Sequence, residues 1–117
     1  MTPATPTEAN CPFCARIRDG EVDEIYNEGV VRFAPLNPVT PGHMLFVPVG
    51  HALHPNPERA GAAVAAASHY ARRKKEPFNL ITSSGHAATQ TIPHVHVHYV
   101  PRRENDGLTL PWTGQTR

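Results

Sequence analysis

The feature that most constrains this sequence is a run in which three histidines alternate with two valines. Strict alternation is typical of a β-strand, because successive side chains of a strand point to opposite faces of the sheet. His94, His96 and His98 are therefore expected on one face, about 6.5 Å apart along the strand. Three imidazoles are too polar for an ordinary core, since each buried ring needs hydrogen-bonding partners. The run predicts a sheet that carries a functional site.

Two chemical interpretations fit these histidines. All three rings can bind one metal ion, or one ring can attack phosphorus while its neighbours orient and neutralise the phosphate. The residues upstream favour the second interpretation, because amides and hydroxyls bind oxyanions and are poor ligands for transition metals. These groups are Gln90, Thr91 and the loop that begins at Ser83. A neutral imidazole attacks phosphorus without a strong base, so a covalent phosphoramidate intermediate is expected.

Length and charge limit the classes of protein. A chain of 117 residues with a formal net charge of +1 fits one domain and small phosphorylated ligands. It lacks the strong positive field that favours nucleic acids or anionic membranes. No apolar run approaches the roughly 20 residues that span a bilayer, and residues 1–10 lack signal-peptide features. We therefore expect a disordered tail over residues 1–10, one domain over residues 11–117, a cytoplasmic location, and no nucleic acid or membrane partner.

Apolar and β-branched runs, separated by prolines and glycines, predict the remaining elements. Strands are expected at residues 30–34, 44–47, 78–82 and 92–100, with the second in the centre of a sheet. Asn56, Pro57 and Glu58 form a helix start signal, with a capping side chain, a preset φ and an acidic group. The helix is expected to run to about Lys75, and its alanine-rich middle to approach the sheet closely.

The only cysteines, Cys11 and Cys14, stand two residues apart. This spacing suits a metal-binding or redox pair in a reducing compartment better than a disulfide framework. A thioredoxin-like redox motif is normally surrounded by a βαβ pattern, which this sequence does not show. A metal site needs further ligands, so the choice depends on the available histidines.

Three segments together carry a family resemblance. Residues 90–102, QTIPHVHVHYVPR, resemble the signature of the histidine-triad family, including its fragile-histidine-triad branch. Residues 37–48, NPVTPGHMLFVP, resemble the strand–loop–strand segment of that family, and residues 11–14, CPFC, resemble the start of its bacterial members. The resemblance implies an α+β fold, with a largely antiparallel five-stranded sheet and one or two helices. It also implies a homodimer in which the sheet is continuous.

The resemblance implies catalytic roles for three histidines. His96 matches the residue that attacks the α-phosphate to form a nucleotidyl-histidine. His98 matches its neighbour at the phosphate and leaving group, and His43 matches a histidine that supports them. The implied phosphate-binding residues are Gln90, Thr91 and Ser83.

The resemblance also implies a zinc site and a ribose site. The positions that bind zinc in the bacterial members are occupied here by Cys11, Cys14, His51 and His94. A Cys2His2 set is closed, with no open position for water, so the implied ion is a structural Zn²⁺. The Asp or Asn that usually binds ribose hydroxyls is replaced by Pro35, so Asn37 is the candidate ribose-binding residue.

The implied function is the release of a nucleoside monophosphate from a substituted phosphate. Purine nucleotides are the expected substrates, with adenosine phosphoramidates and dinucleoside polyphosphates as candidates. Capture of the same intermediate by a phosphorylated acceptor would instead make the protein a nucleotidyl transferase. A third hypothesis is a nucleotide-binding module that has lost efficient catalysis.

Overall fold

A computed structural model describes residues 10–27, 29–51 and 56–112 of the chain. These residues form two α-helices, five strands and one 3-10 turn. In chain order the elements are α1 (Pro12–Arg18), β1 (Glu24–Tyr26), β2 (Val30–Phe33), β3 (Met44–Pro48), α2 (Pro57–Lys74), β4 (Phe78–Ile81), the 3-10 turn (His86–Ala88) and β5 (Val97–Pro101). Neither α-helix is both long enough and apolar enough to cross a membrane. The tail expected at residues 1–10 lies, except for residue 10, outside the described residues.

The five strands form one antiparallel sheet in the order β1-β2-β3-β5-β4. The α+β fold is confirmed, and β3 is the central strand, as its continuous apolar run predicts. Leu45 on β3 and Ile81 on β4 both lie directly opposite His98 on β5. Because paired residues point to the same side of a sheet, these three side chains share one face.

The opposite face of the sheet is covered by α2. Asn56 caps this helix as expected, since its side chain accepts a hydrogen bond from the Arg59 amide at 2.7 Å. The helix ends at Lys74, with Lys75 in the left-handed conformation. Its buried face consists mainly of alanines, which allows a close approach to the sheet. This core contains Val30, Phe46, Ala63, Ala66, Ala67, Tyr70, Ala71, Val97 and Tyr99.

On the His98 face, the cover is the short helix α1, which the sequence analysis did not assign. Cys11 is its N-cap, and the Cys11 sulfur accepts a hydrogen bond from the Cys14 amide at 3.4 Å. Pro12 occupies the first turn, where its missing N–H costs nothing. The helix packs through Phe13 and Cys14 onto a core that also contains Val31, Phe33, Leu45 and Val47.

The histidine run departs from the expected strand over residues 92–100, because β5 begins only at Val97. The His94 amide donates to the Ile92 carbonyl at 2.8 Å and closes a tight turn around Pro93. His94 and His96 therefore precede the strand, so the expected strand over residues 92–100 is too long, although the rings of both lie against Phe13 on the α1 side of the sheet. The His94 ring lies 4.9 Å from the His51 ring, while the His96 ring lies 4.9 Å from the His98 ring.

Candidate active site and metal centre

His96 is held in one tautomer by the backbone beside it. Its Nδ1 lies 2.7 Å from the carbonyl oxygen of His94. A carbonyl only accepts, so Nδ1 carries the proton and donates it to this bond. The Nε2 atom of neutral His96 therefore keeps its lone pair, as a nucleophile requires. Thr82 fixes the same residue from the other side, because its hydroxyl donates to the His96 carbonyl at 2.7 Å.

His43 and His98 form a second hydrogen-bonded pair, whose direction is set by a loop amide. The Val39 N–H donates to Nδ1 of His43 at 3.1 Å, so this nitrogen has no proton. In the neutral ring, Nε2 of His43 carries the proton and donates to Nδ1 of His98 at 2.9 Å. Neutral His98 is consequently protonated on Nε2, which makes that atom a hydrogen-bond donor.

Burial keeps these three rings neutral. His43 and His96 are each 5% exposed, and His98 is partly buried. Burial lowers the pKa of His43 and of His96, because the charged ring loses solvation. Burial also lowers the pKa of His98 to about 4, with further contributions from the neighbouring His96 and His43 rings. At neutral pH the site therefore offers one nucleophilic nitrogen and one hydrogen-bond donor.

The histidines stand between two cavities. A cavity of about 700 Å³ lies on the α1 side, and its wall includes Phe13, Leu36 and Asn37. A second cavity of about 460 Å³ lies on the other side, and its wall includes Ser83 and Gln90. Five residues line both cavities: Val39, His43, Thr91, His96 and His98. A phosphorus atom at His96 can therefore place one substituent in each cavity.

The loop from Ser83 to Thr91 is shaped by its own polar groups. The Gly85 amide donates to Oε1 of Gln90 at 2.8 Å, which holds this side chain within the loop. Thr89 has a φ of +66°, a conformation that β-branched residues rarely adopt. Strain of this kind persists only where surrounding contacts impose it, and it concentrates at functional sites.

A second cluster lies behind the first and consists of Cys11, Cys14, His51 and His94. One potential ligand atom from each residue lies within 4.8 Å of all the others. The Nδ1 atom of His94 is 3.3 Å from the Cys11 sulfur and 3.6 Å from the Cys14 sulfur. Nδ1 of His51 is 3.5 Å from the Cys14 sulfur. Tetrahedral zinc separates a sulfur ligand from a nitrogen ligand by about 3.6 Å, so these residues are positioned to bind the ion.

The protonation state of His94 also fits a metal ligand. Its Nε2 lies 2.8 Å from the Pro48 carbonyl and donates to it, which directs the lone pair of Nδ1 towards both sulfurs. Burial lowers the pKa of His94 to about 4, so the ring is neutral, as metal binding requires. With two thiolates and two imidazoles the set is closed, so it fits a structural zinc.

The structure thus divides the candidate residues into an active site and a metal centre. His43, His96 and His98 are brought together, with Ser83 and Gln90 on one side, Asn37 on the other and Thr91 at both cavities. Sequence reasoning missed Phe13, whose ring lies edge-on to His96 at 5.0 Å and to His94 at 5.9 Å. Its place between the two cysteines was the available signal, because a helical turn there necessarily lies beside the metal centre.

Purified protein should contain one zinc ion per chain, and Cys14→Ser should lose most of it. The free energy of unfolding should fall by about 3 kcal/mol or more, since metal binding and folding are coupled. Elemental analysis and thermal unfolding measure the two effects. His86→Ala, which removes an exposed imidazole from the 3-10 turn, is the matched control. Full zinc content in Cys14→Ser, or an unchanged melting temperature after zinc loss, would contradict a structural zinc site.

Comparisons with known proteins agree with this geometry. Residues 24–105 match the HIT domain family. The adenosine 5'-monophosphoramidase HNT1 of Saccharomyces cerevisiae is 32% identical, over 97% of this chain and 75% of that protein. The adenylylsulfatase HINT3 of Arabidopsis thaliana is 31% identical, over 85% of this chain and 55% of that protein.

Solved structures show the same relationship. A zinc-bound histidine triad family protein from Mycobacterium smegmatis aligns with a TM-score of 0.74 at 32% identity, over 86% of this chain and 81% of that chain. A HIT family hydrolase from Clostridium thermocellum aligns with a TM-score of 0.70 at 30% identity, over 85% of this chain and 96% of that chain. The sequence match, the shared fold and the histidine cluster lead to one conclusion: this chain belongs to the HIT domain family.

Proposed function

We propose that this protein is a nucleotide hydrolase that releases a nucleoside monophosphate from a substituted nucleoside phosphate through a nucleotidyl-histidine at His96. The observation that carries the proposal is the bond from Nδ1 of His96 to the His94 carbonyl, which leaves Nε2 as the nucleophile. The position of this ring between two cavities supports it, because phosphoryl transfer needs room on both sides of phosphorus. The names of two relatives, a monophosphoramidase and an adenylylsulfatase, support action on an adenosine nucleotide.

The reaction takes place in two steps. The lone pair of Nε2 forms a bond to the α-phosphorus, and the bond from phosphorus to the leaving group breaks, with its electron pair departing on the leaving atom. For a phosphoramidate that atom is nitrogen, which takes a proton from water as it departs. Water then attacks phosphorus and gives a proton to the hydroxide left by the first step, the bond to His96 breaks, and neutral His96 returns as the nucleoside monophosphate is released.

His98 and His43 orient and stabilise charge in this scheme. Nε2–H of His98 donates a hydrogen bond to a phosphate oxygen or to the leaving atom. His43 fixes the orientation of His98, but it has no second proton to pass on, because its Nδ1 accepts from the Val39 amide. The pair therefore stabilises negative charge on the transferring group.

The cavities suggest where the rest of the substrate binds. The nucleoside fits the larger cavity, where Asn37 is the candidate for the ribose hydroxyls and Phe13 for contact with the purine base. Ser83, Gln90 and Thr91 are the candidates for the phosphate oxygens, since their amide and hydroxyl groups donate hydrogen bonds. The cytoplasmic location remains a prediction from the sequence.

A homodimer that continues the sheet fits one edge better than the other. β4 is an edge strand without charged residues, and Phe78 and Ile81 on it are 40% and 37% exposed. The opposite edge, β1, carries Glu24, which forms ion pairs with Arg32 and Arg73. Uncharged edge strands with exposed backbone groups tend to pair with another chain. We propose that β4 pairs with β4 of a second copy.

Phe78→Lys should shift the protein from dimer to monomer, because it places a charge on the proposed edge. Light scattering after size-exclusion chromatography gives the molar mass. Ile25→Lys is the matched control on the β1 edge, where the native side chain is 72% exposed. A native monomer, or an unchanged dimer in Phe78→Lys, would refute pairing through β4.

His96→Ala should abolish the adduct and lower kcat by at least about a thousandfold, as loss of a nucleophile does. Intact-protein mass spectrometry after brief mixing with adenosine 5'-phosphoramidate should show an added nucleotidyl mass on the native protein. His69→Ala, an exposed position on α2, is the control. An adduct on His96→Ala would show that the nucleophile is a residue other than His96. Nucleotide bound with neither adduct nor product would favour the binding module, and product formed only with an added phosphorylated acceptor would favour the transferase.

The decrease of kcat/KM at low pH should be centred well below 6.5, the ordinary pKa of histidine. A lowered pKa means that the neutral rings persist as the pH falls, so activity is lost only when the pH passes the pKa of the folded state. The measurement is a pH profile with zinc content recorded at each point, because acid also protonates metal ligands. An acid limb centred near 6.5 with zinc retained would show that the rings titrate as if exposed.

A further inference from the structure

An ion pair near the end of the described chain is unusually well formed for a loop. Nε of Arg102 donates to one carboxylate oxygen of Asp106 at 2.8 Å, and Nη2 donates to the other at 3.1 Å. The side chain of Asp106 is only 9% exposed, and that of Arg102 is 21% exposed. Hydrogen bonds from Arg102 and from two backbone amides hold the pKa of Asp106 well below its usual range. A bidentate, shielded pair of this kind fixes geometry far better than an exposed one.

The same two side chains tie the following segment together. Asp106 also accepts from the backbone amides of Arg103 and Leu108, at 3.1 and 3.0 Å. Arg102 also donates to the Leu108 carbonyl at 3.0 Å and to the side chain of Asn79 on β4 at 2.7 Å. All three guanidinium nitrogens are therefore engaged. The pair fastens residues 103–108 to the sheet.

The end of this segment forms part of the wall of the smaller cavity. Residues 107–110 line the cavity together with Ile81 and Val100. Apart from histidines, the lining contains one charged side chain, Arg102, whose charge is balanced by Asp106. The wall is otherwise apolar or carries neutral amide and hydroxyl groups.

We propose that the Arg102–Asp106 pair determines which leaving groups the enzyme accepts, an inference that rests on the proposed hydrolase function. The pair holds Gly107 and Leu108, which form part of the wall against which the leaving group packs. Asp106 also neutralises the positive charge that Arg102 would otherwise present to the cavity. Uncharged leaving groups are therefore favoured over anionic ones. Both residues are positioning residues, since their bonds run to the wall rather than to the reacting atoms.

Asp106→Asn separates this proposal from a merely structural role. The substitution leaves Arg102 in the cavity wall without its counter-charge, and an anionic leaving group then gains an attractive partner. Arg102→Gln breaks the same ion pair but leaves no cation. Loosening of the wall affects both variants, whereas only Asp106→Asn changes the preference towards anions. The double variant, with a neutral amide at each position, tests whether the cation is responsible.

The experiment compares kcat/KM for two substrates that share the adenylyl group. Adenosine 5'-phosphoramidate releases ammonia, and adenosine 5'-phosphosulfate releases sulfate. We expect the sulfate-to-amidate ratio to rise by about tenfold or more in Asp106→Asn. It should not rise in Arg102→Gln or in the double variant. An unchanged ratio in Asp106→Asn, or an equal rise in Arg102→Gln, would overturn the proposal.

A binding measurement decides the matter even if the native protein turns over neither substrate. Titration with sodium sulfate at constant ionic strength, followed through the backbone amide NMR signals of residues 107–110, reports on the cavity directly. Asp106→Asn should bind sulfate about tenfold more tightly than the native protein or Arg102→Gln. Equal affinities would refute the inference about the pair. Absence of turnover by the native protein would refute the proposed function alone.

Discussion

The carbonyl group of His94 accepts a hydrogen bond from Nδ1 of His96, and the chemistry proposed for the site depends on this contact. The carbonyl points towards His96 because the chain turns tightly at Pro93, where the His94 amide bonds to the Ile92 carbonyl. The same turn directs the His94 ring to the two cysteines. One residue thus supplies a backbone group to the proposed nucleophile and a side chain to the metal centre, so a movement of His94 would displace both sites.

Phe13 extends this connection to the larger cavity. Its ring contacts His94, His96 and Phe33 edge-on, and it also lines the cavity proposed for the nucleoside. The helix that carries it has seven residues, too few to be stable alone in water. Its position is set by packing on the sheet and by the two cysteines at its start. A structural metal therefore bears on the active site by fixing one wall of the cavity proposed for the nucleoside.

Local signals in the sequence were sufficient for much of the fold. The apolar run around Leu45 predicted a central strand, and Asn56 with Pro57 predicted the start of α2. Alternation in the histidine run alone did not separate His94 from the other two rings, because it suggested a strand where a tight turn intervenes; the family resemblance supplied that division. The helix α1 has seven residues and β1 has three, so both are too short for their periodicity to be visible in the sequence.

The Arg102–Asp106 pair was hidden for a different reason. Its i,i+4 spacing resembles that of a helical ion pair, yet the intervening Asn105 has a φ of +60° and the chain forms a loop. The pair is anchored to the sheet through Asn79, which lies on a strand more than twenty residues earlier in the chain. Only the tertiary structure brings the two segments together, since no local pattern encodes such a distance.

The hydrogen-bonding partners of the buried imidazole rings also explain why these rings stay neutral. A carboxylate beside an imidazole would favour the charged ring and raise its pKa. Here the groups that fix the tautomers are uncharged backbone groups, namely the Val39 amide and the carbonyls of Pro48 and His94. Burial then dominates and keeps the rings neutral. Both a nucleophile and a metal ligand require a neutral imidazole nitrogen. Burial combined with uncharged backbone partners therefore suits both sites on this face of the sheet.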